Sequence, residues 1–218
     1  MFAQILGTQW AWTRTTVLIL AVLTFAFPAL LWRFATLAFG EAIGAAGLMA
    51  SFSTLGGFLA VVAILAAVLT AAQPWSVEHE TRHVYALSLP IPWSRYLAMR
   101  YGAGALILGL LAVTLWLGAL LALAMVDVPA QLQSYPGRLA LRFLLAMLLT
   151  YSATFALQYI AGKRAPAVVL ALLVSALLGF LLMEVLGFGA VSQRLFDGLV
   201  NWPGPLAVFV DSWRLIDV

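Results

Sequence analysis

His79, Glu80 and His83 spell H-E-x-x-H, a spacing that carries known chemistry. On a helix the two histidines fall four apart on one face, where they can hold zinc while Glu80 activates a bound water. A hydrolytic centre also needs a third ligand, and Glu184 and Asp197 are the acids to weigh. Glu78 is nearer, but it precedes His79 and points off the histidine face. The chain has no cysteine, which excludes disulfides, cysteine zinc sites and thiol catalysis. A phosphate-cradling loop, G-x-x-x-x-G-K-[ST], also fails. Gly162-Lys163 is followed by Arg164, and Leu157 stands where the first glycine belongs. Any ATP used with this chain is therefore expected to be hydrolysed on another one.

Those residues sit in a polar segment, 73–100, that holds both histidines, two of the eight acids and three of the eleven bases. The rest is built for a bilayer. Of 218 residues 65% are hydrophobic and 9% charged, against about 25% charged in soluble domains. Uninterrupted apolar runs predict helices, because hydrocarbon offers the backbone no partners. The expected fold is all-α, a polytopic membrane helix bundle. Its five spans run Thr16–Trp32, Ser53–Ala72 (ended by Gln73-Pro74), Gly102–Met125, Phe143–Ala161 and Ala167–Met183. Residues 1–14 read equally as an interfacial helix, with Phe2, Ile5, Leu6 and Trp10 on one face, or as a cytoplasmic extension of the first span. Tyr135-Pro136-Gly137 closes a turn-rich loop. The tail, 186–218, is read as extracytoplasmic or re-entrant, since its run Leu206–Val210 is too short to span.

Charge placement orients the bundle. With the N-terminus cytoplasmic, Arg14, Arg82, Arg95, Arg100, Lys163 and Arg164 lie inside and Arg33, Arg138, Arg142, Arg194 and Arg214 outside. The short Lys163-Arg164 turn carries the most weight, and it places segment 73–100 in the cytoplasm. Glu184 and Asp197 then lie across the membrane from His79, so the histidines read better as polar residues of a docking helix than as zinc ligands. The small, dispersed net charge of +3 implies no nucleic-acid face.

Within segment 73–100, Glu78 and Glu80 precede Tyr85-Ala86-Leu87-Ser88-Leu89-Pro90, with Arg95 five residues on and Arg100 entering the next span. This arrangement resembles the cytoplasmic segment between the second and third spans of ABC-2 type transporter permeases. The Gly-Thr pair frequent there is absent, and Thr81-Arg82-His83 stand near its place. The resemblance implies a coupling helix that docks on an ATP-binding cassette ATPase subunit through Glu78, Glu80, Thr81, Arg82, His83, Val84, Leu87 and Arg95. It also implies six spans, a second permease chain in a homo- or heterodimer, ATP and Mg on the partner ATPase, and export across the plasma (inner) membrane. By length alone, 75–89 can form four helical turns between Pro74 and Pro90.

Thr150, Ser152, Thr154 and Gln158 make the fourth span the most polar. Interhelical hydrogen bonding explains them better than substrate contact does, though Thr150, Thr154 and Gln158 are the candidate pathway residues. No buried charge is expected to mark a proton route. The leading expectation is a permease subunit, with a membrane zinc metalloprotease and a non-transporting membrane scaffold as alternatives.

Overall fold

The computed structural model describes residues 1–39, 45–80, 90–125, 133–165, 167–168, 171, 175, 178–179, 182, 189–201, 204, 206–210, 213 and 215–217. At 32, 35–39, 45–55, 79, 163, 189–190, 192, 195–196, 200, 210 and 216–217 the backbone alone is described. The chain divides into two compact units, Met1–Phe155 with Ser212–Val218, and Ala156–Asp211.

Three long helices open the first unit: α1 (Phe2–Phe39), α2 (Ala45–Glu80) and α3 (Trp93–Ala124). α4 (Pro136–Ala161) follows, its Pro136–Phe155 part belonging to this unit. α1 has 38 residues, about 57 Å at ~1.5 Å per residue, nearly twice the ~30 Å of bilayer hydrocarbon. Stretches within all four helices are long and apolar enough to cross a membrane: Phe2–Leu31, Gly56–Glu78, Trp93–Ala124 and Pro136–Ala161. They match the first four expected spans. The fifth lies mostly outside the described residues; those described within it, among them Ala167, Ser175 and Leu182, are helical.

Residues 2–14 are helical and run into the first span without a break, as an extension of that span would. Helix boundaries differ from the sequence reading in two places. α2 does not stop at Gln73-Pro74; it continues to Glu80 with Pro74 inside it. An interior proline costs about 3 kcal/mol, because the ring removes one N–H bond and crowds the preceding turn. Burial of the apolar Trp75 side chain just beyond it, at 2% exposure, works against that cost. Pro136 is not the middle of a turn but the first residue of α4, a position where its fixed φ and missing N–H suit a helix start. The Tyr135 carbonyl then accepts the Leu139 N–H at 3.1 Å.

α1 packs along α3 for much of its length and also against α2, whereas α2 and α3 meet over only a short stretch. The α1–α3 seam is closed tightly. A Cβ on Gly118 would lie 2.2 Å from the Phe25 carbonyl oxygen, and the hydroxyls of Thr24 and Thr114 hydrogen-bond at 3.0 Å across it. Leu108, Leu111 and Leu115 fill the inner face of α3. Leu18, Ile19, Val22, Leu106, Leu110 and Val113 stay exposed on the outer faces, the pattern of side chains that lie in lipid.

The end of the chain returns to this unit. β1 (Gln133–Ser134) and β2 (Ile216–Asp217) pair antiparallel, and the Tyr135 N–H bonds the Leu215 carbonyl at 2.8 Å. Trp213 is buried edge-on to Phe143, ring centroids 6.4 Å apart. Its Cβ lies 2.6 Å from where a side chain on Gly56 would begin, so only glycine fits there.

In the second unit, α4 ends at Ala161 and is followed by Gly162, whose φ of 54° is the left-handed stop that glycine adopts at low cost. A 3₁₀ turn, Gly162–Arg164, follows. Further on, α5 (Gly189–Val200) and the four-residue α6 (Ala207–Val210) are joined by a turn. There the Leu206 N–H bonds the Leu199 carbonyl at 2.9 Å. Neither helix is long enough to cross a bilayer.

Candidate functional site

The first unit gathers its buried charged side chains where α2 leaves its apolar run and α3 enters one. Trp75 and Glu78 come from α2, Tyr96 and Arg100 from α3. All four are buried, Glu78 at 1% and Arg100 at 3% exposure. The carboxylate of Glu78 pairs with the Arg100 guanidinium through Oε2 and accepts the Tyr96 hydroxyl at Oε1. Arg100 Nη1 also donates to the Tyr96 hydroxyl at 3.4 Å. The guanidinium lies over the Trp75 ring, 4.2 Å from its centroid, a placement in which the ring face attracts the cation.

Aromatic and amide groups extend the cluster. Trp75 meets Phe155 edge-on at 5.6 Å, and Phe155 meets Tyr101 at 5.6 Å and Tyr151 at 5.8 Å. The Tyr101 and Ser152 hydroxyls are bonded at 2.7 Å, linking α3 to α4. Gln9 and Tyr151 converge on Gly104, where a Cβ would clash with both. Gln73 donates to Thr16 at 2.8 Å, linking α2 to α1. All four helices thus contribute polar groups to this end.

Charge placement here corrects one expectation. Glu78 is not an exposed docking residue; it is committed to Arg100 and Tyr96. An acid at the end of one apolar helix meets a base near the start of the next. The two neutralise each other, so the pair is a salt bridge rather than an isolated ionisable group of the kind that relays protons. Sequence reading missed it because 22 positions separate the partners. The available signal was Arg100 itself, set among apolar residues of α3 with Tyr96 one turn before it.

Glu80 and Arg95 are exposed, as docking residues need to be. Thr81, Arg82, His83, Val84 and Leu87 lie outside the described residues. His79 is helical, and no group of three metal-ligating side chains occurs among the described residues. Glu184 is outside them too, while Asp197 lies on α5 in the second unit, where Asn201 Nδ2 donates to its carboxylate at 3.4 Å. Of the candidate pathway residues, Thr150 and Thr154 sit half-buried one turn apart on α4 and Gln158 lies a further turn on. The Thr150 hydroxyl bonds back to the Ala146 carbonyl at 3.0 Å. Ser152 makes the interhelical bond expected of this polar stretch.

A family model described as ABC-2 family transporter protein matches residues 29–210. The chain belongs to this family. No curated protein and no solved structure matches it. Membership fits a multi-pass membrane chain of several long apolar helices, and makes it a permease subunit, the transport component in the membrane. The buried polar cluster lies at the edge of the segment, 73–100, that first pointed to the family.

Proposed function

We propose that this permease couples to a separate ATP-binding cassette ATPase through the segment between α2 and α3, and that it works as an exporter. The observation that carries the reading is the continuity of α2, which stays helical past its apolar run as far as Glu80. A helix that leaves the membrane unbroken can pass a displacement of its outer end to its membrane part, which a flexible loop cannot. Exposed Glu80 at the end of α2 and exposed Arg95 in the first turn of α3 flank residues 81–92. They offer charges to an ATPase surface, with Thr81, Arg82, His83, Val84 and Leu87 as the contact residues between them. The N-terminus is cytoplasmic, the membrane is the plasma (inner) membrane, and a second permease chain, identical or a sister, completes the path. ATP and Mg belong to the ATPase. The exporter direction rests on the family resemblance alone.

The test is copurification from the native membrane followed by ATP hydrolysis measured in nanodiscs. Wild-type permease should retain an ATPase, and Leu87→Asp should release it, because a charge placed in an apolar contact is left without a partner. A variant that keeps the ATPase with unchanged hydrolysis would count against docking at this segment.

A further inference from the structure

α1 packs against both α2 and α3, but those two meet over only a short stretch. Their contact at the end facing residues 81–92 is polar and buried. α2 supplies Trp75 and Glu78 to it, and α3 supplies Tyr96 and Arg100. Ion pairs of this kind are poor stabilisers, because well-packed apolar residues of similar volume often do as well or better. Their distinguishing property is direction. Here one carboxylate oxygen accepts the Tyr96 hydroxyl, the other is ion-paired with the guanidinium, the guanidinium donates to the same Tyr96 hydroxyl at 3.4 Å, and it is seated on the Trp75 ring at 4.2 Å. Neither helix can slide or turn against the other without breaking a bond.

We propose that Glu78 and Arg100 are positioning residues that fasten α2 to α3, so that force applied to residues 81–92 reaches both membrane helices as one lever. This rests on the ATPase-coupling reading above. The pair touches no ATPase surface; it acts by keeping the two ends of the docking segment in fixed relation. Without it, the segment can still bind while α2 and α3 yield separately.

Two variants of the permease with its copurifying ATPase in nanodiscs test this. Glu78→Leu/Arg100→Met removes the directional bonds without stranding a buried charge, so the protein folds. Glu78→Cys/Arg100→Cys allows the bond to be replaced at will, since the chain has no other cysteine. Hydrolysis by the complex is compared with that of the isolated ATPase subunit. The Leu/Met variant should keep the ATPase bound and melt near wild type, yet lose the permease-dependent change in hydrolysis by about tenfold, within the usual range of allosteric coupling. The cysteine pair should behave the same when reduced, and a short bis-thiosulfonate cross-linker should restore coupling. A folded, ATPase-bound Leu/Met variant with wild-type hydrolysis overturns the inference, as does a cross-linked pair that stays uncoupled. A wild-type chain that retains no ATPase overturns the docking reading and this inference with it.

Discussion

Arg100 is the residue on which the buried cluster depends, because it faces Glu78, Tyr96 and Trp75 at once. Replacing it with methionine keeps much of the volume but strands the Glu78 carboxylate away from water. Breaking a buried pair from one side costs about 3–5 kcal/mol, so Arg100→Met should lower the melting temperature in detergent clearly. Adding Glu78→Leu should recover most of the loss. If the double variant melts as low as the single, unpaired charge is not what destabilises it. Trp213 makes a separate local contribution at the other tie in the unit, where it is buried against Phe143 and over Gly56. Trp213→Ala should cost about 3–5 kcal/mol, the usual range for losing a buried tryptophan, and should open the β1–β2 pair to rapid hydrogen exchange.

The α1–α3 pair shows what sequence can and cannot convey about a helix. Apolar runs located the first four spans because hydrocarbon tolerates little else. The runs did not fix where helices end. Pro74 reads as a terminator by local rules, yet the helix runs on to Glu80 with Trp75 buried just past the proline. Pro136 reads equally well as a turn residue or a helix start, and only the chain geometry before it decides. Of the candidate site, Glu80 and Arg95 are exposed, and their docking on an ATPase is the proposal above. Glu78 departs from the sequence reading, since a pairing across 22 residues leaves no local trace. Gly118 was equally silent: one glycine among many, it is where α3 touches the α1 backbone. Gly118→Leu should force the helices apart, costing about 1–3 kcal/mol or more by overpacking and lowering the melting temperature. Gly109→Leu, where a Cβ meets nothing within 4 Å, should leave it almost unchanged.

At the scale of the whole permease, sidedness can be read directly because no native cysteine competes for a thiol label. We expect Glu80→Cys and Lys163→Cys to react with a membrane-impermeant maleimide only in inside-out vesicles, and Arg138→Cys only in right-side-out cells. Labelling of Glu80→Cys from outside would reverse the orientation and remove the docking segment from the side where ATP is made available.

Where Gly118 lies on Phe25 and two threonines share a hydrogen bond, the first and third helices leave no gap wide enough for even a methyl group. At that level of the bundle cargo cannot thread between them, and a screen for residues that choose what is carried should leave this welded contact for last.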